Sequence, residues 1–289
     1  MKIQGVLIPV VTPFINGEVD LESYGKLIKY YTSKKIAGIM PLATTGETPT
    51  LTDYEYEAVL NKTIECNEGN VPIYVGFGGN NTGKMTKDIK KFEKFNIKGI
   101  LSVCPYYNRP DQRGIYEHFK AISEATPLDI VLYNIPYRTG RNIENDTVRK
   151  LAELKNIVGI KDACGDFSQT TDLLLHKPSD ENFSILTGED AFFYSTLMLG
   201  GDGGVMASAH INTDKYIEIY NKAKQNDHEG ALKLWKEVVD IIPMLFKEPN
   251  PAPVKHCLYK QGLIKSSEVR LPLVTVSDEL AKELDKFIR

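Results

Sequence analysis

The sequence predicts an α/β fold, a (β/α)8 TIM barrel with a C-terminal helical appendage. Three observations carry that reading. Short apolar runs recur at fairly even intervals, at 6–10, 38–42, 73–77, 99–103, 130–133, 158–161, 184–187 and 203–206. They are continuously apolar rather than alternating, the mark of strands buried on both sheet faces. Between them lie segments with apolar residues at three- and four-residue spacing, the period of a helix. Strands that alternate with helices are parallel strands joined by crossovers. Eight such units within about 220 residues suit a closed barrel, for which about 250 residues is typical.

Taken in order, the first run leads to a helix-like segment at 21–34 and the second to one at 53–67. Thr52 and Glu55 form a capping-box pattern at the start of the latter, each side chain placed to satisfy the other's backbone N–H. The third run is followed by Gly76-Phe77-Gly78-Gly79-Asn80-Asn81. This cluster raises a doubly wound open sheet with a dinucleotide loop as the rival architecture. Asn81 replaces the third glycine of that fingerprint, and the cluster does not follow the first strand, so it reads as a plain turn between strand and helix. Beyond the eighth run come helix signals at 214–225, 228–246, 253–261 and 278–288, punctuated by Pro249, Pro251 and Pro253. Proline starts or ends helices because it lacks an N–H and has a fixed φ. The expected division is a catalytic barrel over residues 1–225 and a helical region over 226–289.

Composition narrows the function classes. Of 289 residues, 42% are hydrophobic and 25% charged, ordinary for a soluble globular chain. A formal charge of -3 gives no basis for a nucleic-acid partner or a membrane surface. No apolar stretch is long enough to span a bilayer, and Met1-Lys2-Ile3-Gln4-Gly5 leads straight into a strand with no signal peptide. Cys66, Cys104, Cys164 and Cys257 contain no Cys-x-x-Cys pair, which fits a reduced, cytoplasmic location. Cys164 reads as a structural thiol. His118, His176, His210, His228 and His256 are scattered without carboxylates at ligand spacing, so no metal is expected and no cofactor is called for.

In such a barrel, chemistry is placed at the carboxyl ends of the strands. Lys161 ends the sixth run and Tyr133 the fifth. A lysine amine at a buried strand end loses charge through desolvation and becomes a nucleophile for the carbonyl of a 2-oxo acid. A tyrosine phenol relays protons when hydrogen-bonded to other hydroxyls, and Thr44, Thr45 and Tyr107 are placed to extend that chain. The amides and hydroxyls of Thr44 and Thr45, with Gly46 permitting close approach, suit a carboxylate. Arg138 offers a planar fork for a second one. The remaining strand ends supply Thr12, Gly188 with Glu189, and Val205 with Met206. Glu47 reads as a loop-fixing carboxylate rather than a general base. Singly, each of these is what an ordinary turn, surface tyrosine or solvated arginine looks like; their coincidence at one barrel mouth gives the catalytic reading.

These residues, in this order, resemble the dihydrodipicolinate synthases of the pyruvate-dependent aldolase superfamily, essentially end to end. The resemblance is carried by Val11-Thr12-Pro13, Thr44-Thr45-Gly46-Glu47, Pro105-Tyr106-Tyr107-Asn108-Arg109-Pro110, Tyr133-Asn134-Ile135-Pro136, Arg138-Thr139-Gly140, Gly159-Ile160-Lys161 and Glu248-Pro249-Asn250-Pro251. It implies that Lys161 forms an imine with pyruvate and Tyr133 relays protons, with Thr44 and Tyr107 completing the relay. Thr45 would hold the pyruvate carboxylate, Val205 would line the pocket, and Arg138 would bind the carboxylate of L-aspartate 4-semialdehyde. The family pattern also implies a homotetramer of tight dimers, with Tyr107 reaching into the neighbouring subunit's site. Ala43 departs from the glycine many members carry there, and its methyl is tolerable if φ is negative. Family members inhibited by lysine bind it at positions matching Thr48, Pro49, Asp53, Tyr56, Asn80, Lys84 and Tyr106. Lys84 replaces an acidic side chain that would bind the effector's amino group, so weak or absent inhibition is expected.

Two rival functions compete. An N-acetylneuraminate or other 2-keto-sugar-acid lyase shares the lysine, the tyrosine and the fold. Arg138 argues against it, because a polyhydroxy substrate needs hydroxyl and amide partners where a small carboxylate acceptor needs a cation. A non-catalytic 2-oxo-acid binding protein on a degenerate barrel would have lost Lys161 or Tyr133, and both are present.

Overall fold

The computed structural model describes residues 2–288. The chain forms two compact units: one joins the residues up to Gly5 to Tyr74–Val205, and the other comprises Val6–Ile73 with the chain from Met206 onward. Ten strands occur along the described chain: β1 (Gly5–Ile8), β2 (Phe14–Ile15), β3 (Glu18–Val19), β4 (Gly38–Ile39), β5 (Tyr74–Gly76), β6 (Gly99–Val103), β7 (Asp129–Asn134), β8 (Ile157–Asp162), β9 (Ser184–Thr187) and β10 (Gly203–Val205). Eight of them belong to one sheet in the order β4-β1-β10-β9-β8-β7-β6-β5. The strand pairs β1–β4, β5–β6, β6–β7, β7–β8, β8–β9 and β9–β10 of that sheet are parallel, as the continuously apolar runs require. Ile39 of β4 makes a parallel bridge to Ile73, the residue before β5, which links the two ends of the strand order. This is the topology of a (β/α)8 barrel.

Within the first unit, β7 and β8 are in register with Tyr133 opposite Lys161 and Asn134 opposite Asp162. The side chains of β6 through β9 are nearly all buried on both faces. In the second unit the helix Leu21–Thr32 buries Tyr24, Leu27, Ile28 and Tyr31 on one face, the i, i+3, i+4, i+7 stripe of its sequence. Each contributes about 2 kcal/mol of apolar burial. The Tyr24 hydroxyl is hydrogen-bonded to Thr63 Oγ1 (2.7 Å) of the helix Asp53–Asn67, and the Tyr31 hydroxyl donates to His210 O (3.2 Å). The capping box at Thr52 and Glu55 is complete in both directions.

Four elements differ from expectation, one being the helix expected over 278–288, which ends at Leu284. The strand expected over 38–42 stops at Ile39, and Leu42 adopts a left-handed φ of 57°. β2 and β3 form an antiparallel hairpin across Asn16-Gly17, both with positive φ (52° and 82°). That is the two-residue turn whose twist matches its flanking strands, and Asn-Gly is its sequence signal. The helix expected over 228–246 is broken into His228–Val238, a tight turn at Val239–Ile241, and Ile242–Leu245. Pro243 supplies the reason: it has no N–H to donate to the carbonyl four residues back.

Candidate active site

Lys161 and Tyr133 occupy neighbouring positions near the ends of β8 and β7, and both are buried. The Lys161 Nζ lies 4.1 Å from the centroid of the Tyr133 ring. Burial lowers the Lys161 pKa to about 8, against an upward pull from Asp190. Among the described residues no carboxylate lies in ion-pair contact with its ammonium, so desolvation wins. At pH 7.4 about a fifth of such an amine is neutral, compared with about 0.1% of a free lysine. Gly188, just past β9, completes this wall; its N–H donates to Asp162 O over 2.6 Å.

A polar network supports the pair. Asn134 and Asp162 follow Tyr133 and Lys161 directly, and both are buried. Asn134 Nδ2 donates to Asp162 Oδ1 (3.2 Å) and to Asn142 Oδ1 (2.8 Å), while its Oδ1 accepts from the Ile143 N–H (3.0 Å). Thr170 Oγ1 donates to Asp162 Oδ2 at 2.7 Å. Burial raises the Asp162 pKa, with these donors opposing it. Cys164 Sγ also donates to Asp162 Oδ2 (3.4 Å), and burial pushes its thiol up to about 12. The thiol is half-buried rather than buried as expected, and its raised pKa and hydrogen bonds suit a structural role.

Arg138 is exposed on the short helix Pro136–Thr139, its guanidinium 5.3 Å from the centroid of the Tyr137 ring and its Nε donating to Tyr137 Oη over 3.3 Å. Thr139 Oγ1 donates to Ile135 O, and Gly140 closes the helix at φ 71°. Arg109 Nε donates to Gly140 O (3.1 Å), tying the loop after β6 to this turn. In that loop Tyr107 has a left-handed φ of 72° and is 89% exposed, an uncommon conformation for an aromatic residue. Val205 ends β10 and is fully buried.

In the second unit the Thr44–Gly46 turn is built by its surroundings. Ala43 has a φ of -103°, so its methyl fits without strain. Thr12 Oγ1 donates to Gly46 O (2.8 Å) and Thr48 Oγ1 to Ala43 O (3.1 Å). Thr45 is buried, and its Oγ1 accepts from Asn250 Nδ2 (3.0 Å). Glu47 follows with a left-handed φ of 52° and a fully buried side chain paired with the equally buried Lys255. Its Oε2 accepts from the Arg270 N–H at 3.0 Å. Lys255 also donates to Glu268 O (2.8 Å) and stands 4.1 Å from the Phe14 ring centroid, while Arg270 covers the same ring at 4.3 Å and clasps Glu55. Burial pushes the Lys255 pKa down to about 8 against the pull of Glu47. Glu47 is thus the loop-fixing carboxylate expected of it.

Sequence reasoning missed Asn134, Asp162, Lys255 and Arg270 as supports. Asn134 and Asp162 carried a weak signal, each being the polar residue after a strand-end candidate. Lys255 and Arg270 carried none. Buried His118 and His210 have pKa values held down near 4 by burial, so both stay neutral at physiological pH.

A parallel eight-stranded sheet with a desolvated lysine near a strand end defines a (β/α)8 protein with a buried amine of lowered pKa. Residues 2–289 match the Dihydrodipicolinate synthetase family. The chain is 73% identical over 288 residues to 4-hydroxy-tetrahydrodipicolinate synthase 2 of Clostridium acetobutylicum, covering 100% of both proteins. The crystal structure of a dihydrodipicolinate synthase from Thermotoga maritima matches with a TM-score of 0.96 at 38% identity, covering 99% of this chain and 98% of that one. A monomeric dihydrodipicolinate synthase variant matches with a TM-score of 0.95, also at 38% identity, over 98% of this chain and 95% of that one. The chain belongs to the dihydrodipicolinate synthetase family.

Proposed function

We propose that the chain is a lyase of the class I aldolase type, a 4-hydroxy-tetrahydrodipicolinate synthase acting in lysine and diaminopimelate biosynthesis. Its substrates are pyruvate and L-aspartate 4-semialdehyde. The observation that carries this reading is Lys161, desolvated and seated against the Tyr133 ring. The neutral amine attacks C2 of pyruvate, water leaves, and an imine forms. Loss of a methyl proton gives the enamine, whose carbon adds to the aldehyde of the second substrate as the aldehyde oxygen takes up a proton. The semialdehyde's amine then attacks the imine carbon and expels Lys161, closing the ring. Tyr133 moves the protons, with Thr44 and Tyr107 as its relay. Thr45 holds the pyruvate carboxylate, Gly188 and Val205 line the pocket, and Arg138 receives the carboxylate of the semialdehyde. The test is borohydride reduction in the presence of pyruvate, read by peptide mass. A reduced pyruvyl adduct is expected on Lys161 alone; an unmodified Lys161 peptide overturns the mechanism. A coupled assay with both substrates beside a sialic-acid cleavage assay separates this activity from that of a keto-sugar-acid lyase.

The same reading extends to assembly and control. The enzyme is a cytoplasmic homotetramer of two tight dimers, and Tyr107 completes the neighbouring subunit's site; its exposure on a left-handed loop residue supports that role. A fully active monomer in sedimentation at assay concentration would contradict it. The barrel is residues 1–225, with the helical region 226–289 appended. L-Lysine inhibits weakly or not at all, because an ammonium stands at Lys84. Lys84 is paired with Asp88 at 2.5 Å, which softens the repulsion but leaves no carboxylate at that position for a cationic effector.

A further inference from the structure

The Thr45 hydroxyl has one proton to donate and two lone pairs with which to accept. Asn250 Nδ2 donates into one of those lone pairs over 3.0 Å. Among the described residues no acceptor takes the Thr45 proton. Thr45 is 4% exposed and Asn250 8%, so a hydroxyl proton left unused here is costly rather than solvated, and Asn250 Oδ1 is likewise buried with no hydrogen-bond partner among the described residues. The turn is held from other directions as well: Thr12 bonds Gly46 O, Thr48 bonds Ala43 O, and Lys255 with the Arg270 N–H fixes Glu47. Asn250 stands just before the helix Ala252–Lys260 that carries Lys255, so one stretch of the C-terminal region grips the turn at two points.

We propose that Asn250 is a positioning residue that fixes the sense of the Thr45 hydroxyl. With its amide donating to Oγ1, the hydroxyl keeps its proton free to donate, and a carboxylate oxygen is a ligand group that takes such a proton. If the amide were turned over, Asn250 would accept the Thr45 proton, and the hydroxyl would offer only lone pairs to an anion. Recognition of a 2-oxo acid by this turn is therefore set 205 positions along the chain. The inference rests on the reading of Thr45 as the holder of the pyruvate carboxylate.

A mutant cycle of Asn250→Leu and Thr45→Val, both near-isosteric and uncharged, tests it by steady-state kinetics and the rate of borohydride trapping. Thr45→Val alone checks the underlying reading: it should raise the KM for pyruvate, and an unchanged value removes Thr45 from pyruvate binding and the proposal with it. Given that rise, Asn250→Leu should raise the pyruvate KM about ten-fold, the scale of one hydrogen bond to a charged group, and leave the semialdehyde KM unchanged. In the Thr45→Val background, Asn250→Leu should have no further effect, because Asn250 acts only through that hydroxyl. Multiplicative effects, or an Asn250→Leu enzyme with unaltered pyruvate KM, overturn the proposal while leaving the Thr45 reading intact. Asn250→Asp gives a second route if Asn250→Leu does not fold: it keeps the volume but accepts the Thr45 proton, and should raise the pyruvate KM beyond ten-fold. A normal pyruvate KM in that variant likewise overturns the proposal.

Discussion

A β-carbon at Gly188 would stand 2.8 Å from Lys161 Cε and 2.9 Å from its Cγ. The absence of a side chain at the end of β9 is therefore what leaves room for the lysine stem at the end of β8. Gly188→Ala should fold, since the nearest displaced atoms belong to the Lys161 side chain and Ala163 Cβ, at 3.1 Å, must give only slightly, but it should move the amine. Trapping of pyruvate on Lys161 should slow about ten-fold or more, with about 1–3 kcal/mol of destabilisation from overpacking. Unchanged trapping would mean the lysine does its chemistry from another rotamer.

The pKa of Lys161 predicts a stability effect with a definite sign. Folding lowers the value from 10.5 to about 8, so the folded state holds fewer protons between those limits. The penalty for burying the ammonium is full below about pH 8, shrinks as pH rises toward 10.5, and vanishes above it. Lys161→Met should therefore be more stable than the parent at pH 7, by on the order of 3 kcal/mol. Urea melts at pH 7 and pH 10 check this; a gap that widens with pH would contradict the desolvation argument. In the parent, the trapping rate with pyruvate should climb through pH 8 rather than above pH 10.

Glu47 and Lys255 neutralise each other where neither side chain meets solvent. Lys255→Met strands the Glu47 carboxylate and should cost about 3–5 kcal/mol. The double variant Glu47→Gln, Lys255→Met removes both charges and should regain most of that loss. Equilibrium denaturation of the three proteins decides it. Additive losses would mean that the pair contributes little through charge.

Arg138 serves the second substrate in our reading. Arg138→Ala should leave the pyruvate adduct on Lys161 intact and lower kcat/KM for the semialdehyde about a hundred-fold. Loss of pyruvate trapping with normal semialdehyde affinity would reverse the assignment.

Much of this was legible in the chain. Strands buried on both faces are unbroken apolar runs, so the polar residues that close those runs near the strand ends, Tyr133 and Lys161, stand out without any knowledge of packing. The capping box at Thr52 and Glu55 is equally local, whereas the break at Pro243 and the hairpin at Asn16-Gly17 departed from expectation although both are written in residue types whose backbone limits are fixed. Sequence periodicity reports only neighbours within a turn or a strand, and there it stopped. That Tyr133 lies opposite Lys161 is a matter of register between two strands. That burial outweighs the pull of Asp190 on the amine is a property of the packed interior. That Asn250 meets Thr45, and Lys255 meets Glu47, depends on where a distant helix comes to rest. The sequence alone singled out the groups to which we assign the chemistry. Only tertiary structure decided their charge, their direction and their partners, because desolvation and hydrogen bonding between distant residues arise only once the chain has packed.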